Sequence, residues 1–170
     1  LALPNAAWAW EQECKPQFDS YEQVTAAAKK GNAEAQYWLG EAYFDGESQF
    51  EQPSAVDYVQ ARAWYDKAVA QKDACAQHAI GWMYDSGTGA EEDKAQAFAW
   101  YEKAAKQGLS KSQFNLGVLY RDGLGVAQNM KSAKSWFEKA ACHGFVMASS
   151  YHTALISRIR LSFITMIANY

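Results

Sequence analysis

Internal repetition constrains this chain more than any other feature. Three segments align without gaps: residues 33–46 (AEAQYWLGEAYFDG), 74–87 (ACAQHAIGWMYDSG) and 110–123 (SKSQFNLGVLYRDG). A second half follows each one: residues 61–68 (ARAWYDKA), 97–104 (AFAWYEKA) and 133–140 (AKSWFEKA). Trp64, Trp100 and Trp136 fall 36 and 36 residues apart, while Gly40, Gly81 and Gly117 fall 41 and 36 apart. The five extra residues in the first interval lie within Glu47–Asp57, so they read as a loop insertion that leaves both halves intact. A period of this length belongs to stacked helical units, none of which can bury its apolar face alone.

Each half reads as a helix. Leu39 and Tyr43, Ile80 and Tyr84, and Leu116 and Tyr120 lie four apart, with Ala35, Ala76 and Ser112 four residues earlier, which makes one stripe. In the second halves Ala61, Trp64/Tyr65 and Ala68 recur at i, i+3, i+4 and i+7. Gly46, Gly87 and Gly123 are expected to close the first helices, and Gly108, Gly144 and once Asp73 the second. Asp93 and Asn129 stand where N-caps are wanted. Gly40, Gly81 and Gly117 are mid-helix, which requires a close neighbour; Ala68, Ala104 and Ala140 are candidates. Trp64, Trp100 and Trp136 are expected in the core. Asp19–Glu22 resembles a capping box opening an orphan helix from Tyr21 to Lys30.

These residues resemble the Sel1-like repeat family, relatives of the tetratricopeptide repeat. The third unit carries Leu116-Gly117, Tyr120, Gly123, Gly125-Val126, Ala133, Trp136-Phe137, Lys139-Ala140-Ala141 and Gly144; the second carries Gly81, Tyr84, Gly87, Gly89, Asp93, Ala97, Trp100-Tyr101, Lys103-Ala104-Ala105 and Gly108. The first unit lacks the glycine-rich turn, and a fourth is absent, with His152 and Thr153 in place of Leu and Gly. The resemblance implies an all-α fold: a right-handed α-solenoid of antiparallel helix pairs, about three repeats, with atypical capping helices at both ends. The domain reading is an N-terminal segment 1–18, a solenoid over 19–144 and a C-terminal capping helix over 145–170. The family also implies a protein-binding scaffold, with exported bacterial adaptors and immunity-type inhibitors of secreted toxins among its members. Its cysteine-rich members imply an alternative, a β-lactamase-like hydrolase.

Composition narrows the partners. Of 170 residues 49% are apolar, which excludes disorder, and 16 basic against 19 acidic residues give a net charge of −3, which argues against nucleic acid. No run of about 18 uncharged apolar residues exists. The stripe Tyr151, Leu155, Ile159, Phe163, Ile167 and Tyr170 reads as a cap on the open end of the stack, with a membrane-surface helix carrying Arg158 and Arg160 as the alternative. Ala7-Trp8-Ala9 has the small-x-small form of a signal-peptidase site. That reading places the protein in the periplasm or outside the cell; an ordinary Ala-rich segment leaves it in the cytoplasm. Cys14, Cys75 and Cys142 allow at most one bridge.

No catalytic, cofactor or metal motif is present: G-x-S-x-G, H-E-x-x-H, C-x-x-C, S-x-x-K and G-x-x-x-x-G-K do not occur. Cys75 and His78, at i and i+3, read as an activated thiolate or half a metal site, or as two unrelated residues. Cys142-His143 is weaker still. The remaining site is a surface. First helices line the concave face of such stacks, and the positions outside the core stripe are Glu34, Tyr37, Trp38, Glu41, Phe44, Asp45, His78, Trp82, Asp85, Phe114, Asn115 and Arg121. Aromatic anchors ringed by charge are what protein-binding hot spots use, and the acidic members favour a basic patch on the partner. Helical spacing also allows Trp38 and Phe44 to fill the core between repeats. Phe50, between Glu47 and Glu51, is a candidate loop-tip anchor. The reading is a non-catalytic module that grips another protein, a secreted toxin or an envelope protein, with no cofactor, no nucleic acid and no membrane.

Overall fold

A computed structural model describes residues 14–46 and 55–142. These residues form seven α-helices and, among them, no strand: α1 (Tyr21–Lys29), α2 (Ala33–Asp45), α3 (Tyr58–Ala70), α4 (Ala74–Ser86), α5 (Lys94–Lys106), α6 (Ser110–Asp122) and α7 (Met130–Cys142). Each helix packs on its chain neighbours, most closely within the pairs α2–α3, α4–α5 and α6–α7. The architecture is an all-helical solenoid of three hairpins with α1 against its first helix. Residues 1–9, the loop around Phe50, Gly144 and the stripe from Tyr151 to Tyr170 lie outside the described residues.

Local chemistry sets the boundaries. Asp57 and Asp93 each accept two backbone N–H groups, from Val59 and Gln60 and from Ala95 and Gln96, and Asn129 accepts that of Ser132. The backbone N–H of each of these caps donates to a tyrosine carbonyl on the preceding helix: Asp57 to Tyr43 at 2.8 Å, Asp93 to Tyr84 at 2.9 Å and Asn129 to Tyr120 at 2.8 Å. That bond closes the first hairpin despite its longer loop, so the insertion leaves the helix pair in register. Gly46, Gly87 and Gly123 end α2, α4 and α6 with φ near +70°.

Four expectations need correction. The cap of α1 is Ser20, one residue later than expected; it accepts from the N–H of Gln23, whose side chain accepts from Asp19 N. Asp73 does not close α3. Lys72 does so, at φ +64°, in the place that Gly31 and Gly108 hold elsewhere, and Asp73 instead caps α4 by accepting from Ala76 N at 2.7 Å. The nearest neighbours of the mid-helix glycines are not Ala68, Ala104 and Ala140. Gly40, Gly81 and Gly117 face the rings of Tyr65, Tyr101 and Phe137, and a β-carbon on Gly40 would stand 2.5 Å from Tyr65 Cδ1. Those three rings, not the tryptophans before them, are the centre of the core, at 1%, 0% and 0% exposure. Trp64, Trp100 and Trp136 are half-buried. Each leans on the neighbouring core cluster and carries a lysine ammonium over its ring: Lys67 at 3.5 Å, Lys103 at 3.7 Å and Lys139 at 4.0 Å.

The repeats are tied together by polar contacts that the apolar pattern does not reveal. Gln36, Gln77 and Gln113 recur at one register position and are buried. Gln36 and Gln113 donate to the carbonyls of Ala28 and Ala105 on the preceding helix at 3.2 Å, while the Gln36 and Gln77 side-chain oxygens accept from Gln71 and Gln107 at 2.9 Å. Gly125, at φ +67°, sits against the Lys94 carbonyl of the previous repeat, where no β-carbon fits.

Candidate functional site

The first helices α2, α4 and α6 lie side by side. Phe44 of α2 meets Trp82 of α4 edge-on, centroids 5.4 Å apart, and His78 Nδ1 of α4 lies 2.9 Å from Ser112 Oγ of α6. Between them is a pocket of about 230 Å³ lined by Tyr37, Glu41, Phe44, Asp45, Tyr65, His78, Ala79, Trp82 and Lys111. Six of the twelve residues singled out from the sequence therefore converge on one place.

Their burial sorts them into two kinds. Trp82 is 41% exposed, Asp45 is exposed, and Phe44 is half-buried. Tyr37 is only 7% exposed and stacks on Tyr65 at 6.1 Å; it is a core residue whose edge reaches the pocket. The same register position repeats this packing: His78 lies 5.2 Å from Tyr101, and Phe114 lies 5.5 Å from Phe137. An aromatic ring at this position flanks the ring that the glycine three residues later admits, because i and i+3 share a helix face.

The electrostatics of the pocket follow from burial. The Tyr65 hydroxyl donates to Glu41 Oε1 at 2.5 Å, and Tyr37 also hydrogen-bonds that carboxylate. Burial pushes Glu41 up to about 7, against the lowering pull of these bonds and of the Lys111 charge. The Tyr65 hydroxyl is held far above its ordinary value, by burial first and then by Glu41. Burial, helped by Lys111, depresses His78 to about 3, so it stays a neutral imidazole.

The other six residues lie elsewhere. Glu34 and Trp38, with Tyr37, line a second hollow of about 360 Å³ beside the Cys14–Cys75 disulfide. Glu34 accepts there from Gln17 N at 3.2 Å. Trp38 packs against both the α1–α2 and the α2–α4 clusters. Asp85 and Asn115 serve Tyr101, whose hydroxyl donates to Asp85 Oδ2 at 3.2 Å, and Lys94 also pairs with Asp85 at 2.9 Å. Phe114 belongs to the α6–α7 packing, and Arg121 is paired with Asp122 at the end of α6.

Cys75 is not a thiolate. It is bonded to Cys14, 61 residues away, which leaves the Cys75–His78 pair without a nucleophile and without a free metal ligand at Cys75. Cys142 is free and exposed, and no group of three or more candidate metal ligands exists among the described residues. No described helix is long and apolar enough to cross a membrane. Lys111, Tyr65 and the small side chain of Ala79 are the pocket residues that sequence reading missed. Tyr65 was visible only as half of a Trp-Tyr pair, and Lys111 shares the first turn of α6 with no repeating charge.

Comparison with known proteins places the repeats. The profile for the Sel1 repeat matches residues 33–73, 76–109 and 110–145. A Sel1 repeat protein from Oxalobacter formigenes is similar in structure, with 32% identity and a TM-score of 0.69 over 78% of this chain and 96% of its own. The protective antigen c5321 of uropathogenic Escherichia coli, described as having an SLR fold, shares 32% identity at a TM-score of 0.67, over 81% of this chain and 33% of its own. The cysteine rich protein B of Helicobacter pylori has 24% identity and a TM-score of 0.60 over 76% of this chain and 95% of its own, a likeness of fold. No curated protein sequence matches at a significant level.

Proposed function

The chain belongs to the Sel1 repeat family, whose solenoids generally bind other proteins, and from that premise we propose that it is a non-catalytic binding module that holds a partner protein on the face built by α2, α4 and α6. The observation that carries this is the gathering of Phe44, Trp82, Glu41 and Asp45 from two repeats around one hollow. Tryptophan is enriched in binding hot spots, and the repeat does not fix one at this register position, which Glu41 and Val118 hold in the other two units.

The Cys14–Cys75 disulfide supports an exported protein, because such bonds persist in the periplasm and outside the cell. On this reading the protein is an exported bacterial adaptor or an immunity-type inhibitor of a secreted toxic effector. Both roles use the same grip, and the partner's identity separates them. A hydrolase acting through Cys75 is disfavoured by the disulfide.

The test is affinity capture from source-cell extract, with wild type beside a Trp82→Ala/Asp45→Lys variant. Both positions are exposed, so the variant keeps its core. A stoichiometric partner held by wild type and lost by the variant is expected. A partner held equally by both removes this face from the interface.

A further inference from the structure

The pocket itself indicates what part of a partner it would hold. Its volume of about 230 Å³ is below the roughly 300–1,000 Å³ of a pocket for a drug-sized ligand. It has room for the head of one side chain. Its walls are aromatic: Phe44 and Trp82 meet at 81°, so Trp82 stands as an exposed wall beside the Phe44 ring. Aromatic faces attract cations. Glu41 and Asp45 lie one helical turn apart on α2 and both line the hollow.

The charge balance points the same way. Tyr37, Tyr65 and His78 contribute no charge near neutral pH, since burial raises the two phenols and depresses the imidazole. Near neutral pH the Asp45 carboxylate and a partly ionised Glu41 therefore face one ammonium, Lys111. Burial with Asp45 nearby disfavours the Glu41 carboxylate, and a cation placed between the two acids relieves that.

We propose that this pocket receives the guanidinium of a single arginine from the partner, stacked on Trp82 and paired with Glu41 and Asp45. Arginine fits better than lysine because its plane stacks on an aromatic face, its donors match two carboxylates, and it is more weakly hydrated. The proposal rests on the protein-binding reading and adds to it the chemistry of the anchor.

The experiment uses the full chain, labelled with nitrogen-15, and the capped peptide acetyl-Gly-Arg-Gly-amide. Its counterparts carry citrulline, which has the same shape without the charge, or glutamate. The Trp82 indole resonance, assigned by its loss in Trp82→Ala, is expected to move and saturate with the arginine peptide. Binding of the citrulline peptide should be at least tenfold weaker. Asp45→Asn should weaken arginine binding about threefold, and Lys111→Met should strengthen it about threefold. Equal binding of arginine and citrulline, tighter binding of glutamate, weaker arginine binding in Lys111→Met, or no movement of the Trp82 resonance would each overturn the proposal. Affinity capture reads out separately: a partner lost with Trp82→Ala/Asp45→Lys, without arginine binding, keeps the groove and removes this anchor.

Discussion

The ring of Tyr65 rests against Gly40, and its hydroxyl then reaches Glu41 on the next residue of the same helix at 2.5 Å. One side chain of α3 thus joins the core of the first hairpin to the floor of the pocket. The second hairpin keeps the glycine and the ring, Gly81 and Tyr101, but the hydroxyl reaches Asp85, about one turn beyond the glycine, at 3.2 Å. The third keeps the glycine and the ring, but Phe137 has no hydroxyl to offer. The polar end of this contact therefore exists where the candidate surface is acidic and is lost where it is not.

Alanine at Gly81 tests the close approach. Its β-carbon would stand 2.7 Å from Tyr101 Cδ1, and that ring is fully buried and cannot swing away. Overpacking costs about 1–3 kcal/mol, against about 1 kcal/mol gained in helix propensity. Urea denaturation of Gly81→Ala should show a net loss of up to about 2 kcal/mol, part of which returns in Gly81→Ala/Tyr101→Leu. A stabilised single variant would contradict the packing.

Phe137 and Trp136 should differ sharply when truncated. Phe137→Ala empties a fully buried site and should cost about 3–5 kcal/mol. Trp136 is half-buried beneath Lys139, so Trp136→Ala should cost clearly less in the same denaturant titration. The opposite order would restore the tryptophans to the centre of the core.

Glu41 should make stability fall as pH rises. Its carboxyl titrates near 7 in the folded chain against an ordinary value of 4.5, so between those values the folded state holds more of the proton. Its contribution is complete below pH 4.5 and lost as pH rises toward 7. One pH unit of displacement corresponds to about 1.4 kcal/mol. Glu41→Gln keeps an acceptor for Tyr65 and should flatten this slope. His78 works in the other direction: its folded value near 3 lies below the ordinary 6.5, so its contribution is complete above pH 6.5 and lost as pH falls toward 3. The two slopes oppose each other in the wild type, so the measurement is the difference between wild type and Glu41→Gln across pH 4–8.

Reducing the Cys14–Cys75 bond should destabilise the chain. It closes a loop across 61 positions, and a native bridge of this kind contributes about 2–4 kcal/mol. The denaturation midpoint should drop when reductant is added to wild type and not when it is added to Cys14→Ser/Cys75→Ser. An unchanged wild-type midpoint would show that the bridge constrains nothing.

Much of this protein is legible as sequence because its signals are local and threefold. Helix spans follow from the apolar stripe, two caps from Asp93 and Asn129, and the helix ends from Gly46, Gly87 and Gly123, each a property of a few adjacent residues. Repetition then makes the solenoid the way to bury every stripe. Periodicity cannot say which of two adjacent aromatics turns inward, since Trp100 and Tyr101 both fit one helical face. That was settled by which ring fits the space above Gly81, a contact between helices. The pairing of Cys14 with Cys75, the burial of Tyr37, and the meeting of Glu41, Trp82 and Lys111 around one hollow likewise join residues far apart in the chain. Such proximity depends on how the three hairpins stack, and no local propensity encodes it.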